Sequence, residues 1–136
     1  MTDHRRQIPV TVLVVAKAPV PGLAKTRLAA TLGDDAAADI AAAALLDTLD
    51  AVAATPVETR VVAMTGDLDN ACRSAAIRDR LDTFTVIDQR GDDFAARLAN
   101  AHADAAVFGR PVLQIGMDTP QVTAGLLTDC ARVLLT

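Results

Sequence analysis

The stretch IPVTVLVVA, residues 8–16, decides the fold. It is a continuous apolar run rich in β-branched residues, without the alternation of polar and apolar positions that marks a half-exposed strand. Such a run is typical of a strand covered on both faces, as in a parallel sheet. The segment PVPG, residues 19–22, follows and can continue neither a strand nor a helix. The sequence therefore predicts a buried first strand that ends in a loop.

Beyond this loop the chain alternates between helical and strand patterns. The predicted strands are residues 58–64, 84–87 and 111–115, and the predicted helices are residues 34–55, 67–81 and 92–108, with a last helix capped by Thr123. The apolar stripes that should face the sheet are Leu45, Leu49 and Val52 in one helix, and Phe94, Leu98, Ala101, Ala105 and Phe108 in another. This alternation predicts an α/β fold with a mostly parallel sheet.

Length and charge narrow the class of protein. The 136 residues fit one domain, which we take to span residues 1–136. A net charge of −4 and the lack of a basic, aromatic-rich patch argue against a nucleic-acid partner. No apolar stretch approaches the length of a membrane span. Cys72 and Cys130 lack metal-ligand spacing, so we expect packed thiols and a cytoplasmic protein.

The only two lysines, Lys17 and Lys25, lie around the loop after the first strand, and Arg27 joins them. In open α/β sheets ligands bind beyond the carboxyl ends of the strands, where such cations would neutralise phosphate oxygens. The alternative is that they are solvated surface cations at a helix start, although that placement opposes the helix dipole. A P-loop is excluded because Pro19 and Ala24 stand where glycines are required, and no GxGxxG motif exists.

Two further residues are candidates for the same sheet edge. Asp118 lies in the turn GMDTP after the fourth predicted strand, and a carboxylate there could hold Mg²⁺ together with phosphate oxygens. The alternative is an aspartate that accepts hydrogen bonds from the turn. Arg97, near the start of its helix, could lean towards a ligand or remain a solvated side chain. No nucleophilic triad is recognisable, so chemistry at this edge would depend on positioning and charge neutralisation.

Three segments carry a resemblance to a known family. They are AKAPVPGLAKTRLA (residues 16–29), DDFAARLANAHADA (residues 92–105) and QIGMDTPQVT (residues 114–123). In order and approximate spacing they resemble the family described as glycosyltransferase-like or radical-SAM/selenodomain-associated transferases, formerly a domain of unknown function. The resemblance implies a Rossmann-like three-layer sandwich of the nucleotide-diphospho-sugar transferase type.

Carried over by position, the resemblance assigns a role to each candidate residue. Lys25 and Arg27, with Lys17 beside them, would contact the nucleotide phosphates, and Arg97 would support the nucleotide site. Asp118 would be the catalytic residue and would bind the divalent metal, Mg²⁺ or Mn²⁺. The apolar helical pattern runs up to Thr136, from which we expect a fold truncated at its C-terminus relative to the family.

The expected function is therefore that of a metal-dependent transferase acting on a nucleotide-activated donor, most simply a nucleoside-diphosphate sugar, with an unknown acceptor. Two alternatives stay open: a nucleotidyltransferase related to guanylyltransferases, and an inactive, truncated nucleotide-binding or interaction module. An exposed sheet edge would also permit a homodimer.

Overall fold

The computed structural model describes residues 7–117 and 122–136. Its elements, in chain order, are β1 (Ile8–Lys17), α1 (Thr26–Leu32), α2 (Asp34–Ala53), β2 (Val57–Thr65), α3 (Ser74–Leu81), β3 (Thr85–Asp88), α4 (Phe94–Ala105), β4 (Val112–Gly116) and α5 (Ala124–Leu134). Strands and helices alternate as the sequence predicts. None of the helices in the described ranges combines the length and the apolar character needed to cross a membrane.

All four strands are parallel, and their order across the sheet is β3-β2-β1-β4. The register between β1 and β2 runs from Thr11 opposite Thr59 to Lys17 opposite Thr65, and β4 pairs with the other edge of β1 up to Val15 opposite Gly116. The chain thus builds outward from β1 to β3 on one side and then returns to place β4 on the other. The direction of winding reverses between β1 and β4.

Side chains on β1 alternate between two buried layers, which explains why its sequence is continuously apolar. Val10, Val12 and Val14 belong to a core cluster with residues of α2, α3 and α5. Leu13, on the opposite face, packs with Ala101 and Ala105 of α4. The helices therefore cover both faces of the sheet, and the predicted α/β fold with a parallel sheet and three layers is confirmed.

The helix predicted over residues 67–81 is shorter in the structure. Asp67 caps a 3₁₀ turn, Leu68–Asn70, by accepting a hydrogen bond from Asp69 N at 2.9 Å. Arg73 then adopts a left-handed backbone with φ of 52°, and α3 begins only at Ser74. The polar cap predicted from the sequence is real, but the 3₁₀ turn that it starts ends at Ala71, which is extended, and α3 begins only after left-handed Arg73.

The apolar stripe predicted for residues 92–108 is buried only in part. Ala101 and Ala105 are fully buried, whereas the side chains of Phe94 and Phe108 are 69% and 37% exposed. The small alanines allow the second half of α4 to lie close to the sheet. Phe94 lies in the first turn, beside the carboxyl ends of the strands, and Phe108 lies in a 3₁₀ turn where the helical period ends. The prediction that these two phenylalanines pack onto the sheet is wrong.

Candidate functional site

A cleft of about 600 Å³ opens at the carboxyl ends of β1 and β4, where the winding of the sheet reverses. The sheet side of the cleft is formed by residues 15–17 of β1 and by residues 114–117, at the end of β4. The helix side is formed by Phe94, Arg97 and Leu98 of α4. Thr65 and Gln89, at or after the ends of β2 and β3, complete it. Ligands of open α/β sheets bind in this position, outside the strand ends at the switch point.

The loop after β1 is held closed by its own groups. Lys17 Nζ donates a hydrogen bond to the carbonyl oxygen of Leu23 at 2.6 Å. The amides of Leu23 and Ala24 both donate to the carbonyl of Val20, at 3.0 and 3.1 Å. The loop therefore forms a compact turn whose shape depends on the side chain of Lys17.

Three of the predicted site residues share one cavity in this loop. Lys17, Lys25 and Arg27 line a cavity of about 520 Å³, together with Leu23, Thr26 and Leu28. Lys25 takes a left-handed backbone with φ of 46° directly before α1, a conformation that is uncommon outside glycine. Lys17 also lines the cleft, so the two cavities have this residue in common.

We call the cavity lined by Lys17, Lys25 and Arg27 the cationic cavity. Arg97, the fourth predicted residue, lines the cleft and does not line this cavity. Its Nε donates to the carbonyl oxygen of Gly91 at 3.1 Å, while its terminal nitrogens make no hydrogen bond within residues 7–117 and 122–136. Gly91 has φ of 135°, and a Cβ built there would lie 2.8 Å from Arg97 N. Asp93 caps α4 by accepting from Ala96 N at 2.7 Å. The turn before α4 is thus fixed by a required glycine and a cap, which orient Arg97.

Gln89 is a site residue that the sequence analysis missed. Its Nε2 donates to the carbonyl oxygens of Ala16, at 2.8 Å, and Ala63, at 3.1 Å, and so ties the segment after β3 to β1 and β2. Both amide hydrogens are used, so that Oε1 is the polar atom of this side chain left to accept a hydrogen bond. A polar residue directly after the third strand was the available signal, because parallel strands end at one edge of the sheet.

Asp118, the predicted catalytic residue and metal ligand, lies outside the described residues. Its neighbour Met117 is anchored on two sides. The buried hydroxyl of Thr48 donates to the carbonyl oxygen of Met117 at 2.7 Å, and Lys17 N donates to its sulfur at 3.2 Å. Residues 7–117 and 122–136 contain no group of three or more His, Cys, Asp or Glu side chains that could hold a metal ion. The metal site stays a prediction.

Comparison with known proteins agrees with this architecture. A family model described as "uncharacterized protein conserved in bacteria (DUF2064)" matches residues 48–136. The crystal structure of a "putative nucleotide-diphospho-sugar transferase" from Desulfovibrio desulfuricans G20 is similar, with a TM-score of 0.76 and 25% sequence identity. The match covers 90% of this chain and 53% of that chain, so this chain spans about half the length of that protein. No curated protein matches. The expected nucleotide-diphospho-sugar transferase fold is confirmed.

Proposed function

The chain belongs to the DUF2064 family of proteins conserved in bacteria, and from that premise we propose that it binds a nucleotide-activated sugar and transfers the sugar to an acceptor. The observation that carries the proposal is the cleft at the ends of β1 and β4, which shares Lys17 with a neighbouring cavity lined by the other lysine of the chain, Lys25. The similarity to the "putative nucleotide-diphospho-sugar transferase" from Desulfovibrio desulfuricans G20 supports the same proposal.

The charge distribution favours an anionic ligand. The chain carries a net charge of −4, yet Lys17, Lys25 and Arg27 line a single cavity at the sheet edge. A diphosphate placed there would receive point charges from the lysines and a forked pair of hydrogen bonds from the guanidinium. The same groups would stabilise the negative charge that develops on a nucleoside diphosphate as it leaves the sugar.

A divalent cation is part of the proposal. Mg²⁺ commonly takes one or two protein carboxylates and completes its shell with substrate phosphates and water. Asp118 would be the protein ligand of such an ion. The ion would neutralise charge on the leaving diphosphate.

The first experiment is a thermal-shift panel. UDP-, GDP-, ADP- and dTDP-sugars are each tested with and without Mg²⁺ or Mn²⁺, because a ligand that binds the native state raises the melting temperature. We expect a metal-dependent rise with one class of nucleotide. A flat panel from a folded protein would contradict the proposal.

Matched variants test the residues. Lys25→Ala and Arg27→Ala are expected to weaken nucleotide binding by about tenfold or more each, as loss of a charged hydrogen bond does. Asp118→Asn should remove the metal-dependent part of the shift. The control is Arg132→Ala, which removes the same charge from the exposed last turn of α5 and should leave binding unchanged. Unchanged binding in both Lys25→Ala and Asp118→Asn would refute the site assignment.

Product analysis separates sugar transfer from nucleotidyl transfer. Sugar transfer from a nucleoside-diphosphate sugar releases free nucleoside diphosphate, whereas nucleotidyl transfer from a nucleoside triphosphate releases pyrophosphate. The proposal requires the first product.

A further inference from the structure

We propose that Phe94 is the stacking surface for the nucleobase of the donor, and that the α4 side of the cleft is the nucleoside end of the site. This inference rests on the proposed function, since it assumes that the ligand is a nucleotide. It adds the direction in which the nucleotide lies and the residue that its base contacts.

The exposure of Phe94 is the first reason. The chain has no Trp, no Tyr and three Phe. Phe84 is buried at 8% exposure, whereas Phe94 is 69% exposed and lines the cleft. A phenylalanine gains stability by leaving water, so one held exposed at the mouth of a cleft is placed to gain that burial from a ligand. Aromatic side chains bind nucleobases by stacking, which every base permits through its flat face.

The residues around Phe94 match the rest of a nucleoside. Phe94, Arg97 and Leu98 stand three and four positions apart and so share one face of α4, giving the cleft an aromatic, a cationic and an aliphatic wall. Val15 and Ile115 add apolar surface from the sheet. A mostly apolar slot with a few polar groups is the usual form of a small-molecule site.

Gln89 supplies a polar group suited to a base. Its two amide hydrogens are committed to the carbonyl oxygens of Ala16 and Ala63. Oε1 is left as its acceptor, Gln89 lines the cleft, and the Watson–Crick edges of uracil, guanine and adenine each carry an N–H donor that could meet such an acceptor.

The cationic cavity fixes the orientation. Lys17 lines both this cavity and the cleft, whereas Lys25 and Arg27 line the cationic cavity and not the cleft. A nucleotide has a planar aromatic base at one end and its phosphates at the other. If the base stacks on Phe94 and the diphosphate points towards Lys25, the aromatic end of the nucleotide meets an aromatic side chain and the anionic end meets cations.

Because the chain has no tryptophan, Phe94→Trp would introduce a single fluorophore at the proposed stacking position. Phe108→Trp is the matched control, since Phe108 is also partly exposed and lies beyond the other end of α4. Both full-length variants are titrated with UDP, GDP and ADP, with the corresponding sugar nucleotides, and with inorganic pyrophosphate. Melting temperatures are measured in parallel.

We expect a nucleoside diphosphate to quench the emission of Phe94→Trp and not that of Phe108→Trp, and pyrophosphate to quench neither. Phe94→Leu keeps an apolar side chain but removes the aromatic face. It should weaken nucleoside diphosphate binding by about tenfold, in the range measured for single base-stacking contacts, while pyrophosphate binding stays unchanged.

Three results would overturn the inference. If a nucleoside diphosphate raises the melting temperature but affects neither the emission of Phe94→Trp nor the affinity of Phe94→Leu, the stacking role is wrong while the proposed function stands. Quenching by a sugar nucleotide but not by its nucleoside diphosphate would place the sugar against Phe94. If no nucleotide binds, the proposed function and the inference fail together.

Discussion

Thr11 lies in the middle of β1, and its hydroxyl is fully buried without a hydrogen-bond partner in the described part of the chain. A buried hydroxyl that makes no hydrogen bond costs free energy relative to an apolar group of similar shape. We therefore expect Thr11→Val to raise the free energy of unfolding by about 1 kcal/mol, as measured by urea denaturation.

Thr55→Val is the matched control for this prediction. Thr55 is equally buried, but its Oγ1 donates to the carbonyl oxygen of Ala51 at 2.8 Å. Its replacement should lower stability by about 1 kcal/mol, because a hydrogen bond is lost. A stability loss in Thr11→Val as large as that in the control would show that the hydroxyl of Thr11 is satisfied.

At the residue scale the structure brings three of the predicted cations to one cavity, and it adds neutral residues to the candidate site that the sequence analysis did not assign to it. Lys17, Lys25 and Arg27 could be grouped because cations following one strand must lie at one sheet edge. Gln89 was missed because its place in the site depends on hydrogen bonds to two carbonyl groups of other strands, which only the tertiary structure brings within reach. Phe94 was assigned to the core because helical periodicity does not reveal where a helix extends beyond the sheet.

Gly91 controls how α4 begins, and so belongs to the scale of the element. A Cβ at this position would lie 2.8 Å from Arg97 N and 2.9 Å from the carbonyl carbon of Ala96, both backbone atoms that cannot move aside. The backbone φ of 135° is also unfavourable for any residue with a side chain. We expect Gly91→Ala to destabilise the protein by about 2 kcal/mol or more, as measured by thermal or urea unfolding, and to weaken nucleotide binding by displacing Arg97.

Gly109→Ala separates steric overlap from backbone conformation. Gly109 also has positive φ, at 75°, but nothing lies within 4 Å of the Cβ position. Its replacement should cost only about 1 kcal/mol, the usual penalty for a left-handed residue. Equal losses of stability in the two variants would mean that the close contact at Gly91 is relieved without cost.

The elements most accurately predicted are those whose sequence pattern follows directly from burial. β1 was predicted at residues 8–16 and spans Ile8–Lys17, because a strand covered on both faces has to be continuously apolar. In α2, the predicted stripe Leu45, Leu49 and Val52 is fully buried. The start of α3 was misplaced because the left-handed backbone of Arg73 has no signal in its residue type, since arginine rarely adopts it.

At the scale of the whole molecule, the order of the strands creates the candidate site. Alternating strands and helices predict a parallel sheet, but they do not say on which side of β1 the fourth strand is placed. That choice depends on long-range packing, in which α4 covers the face of Leu13 while α5 covers the opposite face. β4 joins the free edge of β1, and the cleft lies at the carboxyl ends of these two strands, where open α/β sheets bind ligands.

The stability of the whole molecule should also respond to acid through two ion pairs. Asp39 accepts hydrogen bonds from Arg73 at 2.7 and 2.8 Å, which tie α2 to the start of α3, and Asp104 of α4 accepts from Arg90 at 3.0 and 2.7 Å. These hydrogen bonds lower the pKa of both carboxyl groups below their ordinary value. In the unfolded chain the two groups bind protons at higher pH than in the folded one. Their contribution to stability is therefore present above about pH 4 and is lost as the pH falls through the folded pKa.

The variant Asp39→Asn/Asp104→Asn tests this dependence. It should melt slightly below the unchanged chain at pH 7, because both ion pairs are solvent-exposed and each is worth little. The difference in melting temperature should shrink as the pH is lowered from 5 towards 3, where the unchanged chain protonates the same two groups. Asp129→Asn, on an exposed position of α5 without an ion pair in the described chain, should melt with the unchanged chain at each pH. A difference between the double variant and the unchanged chain that stays constant down to pH 3 would show that the substitutions act through packing and not through the two charges.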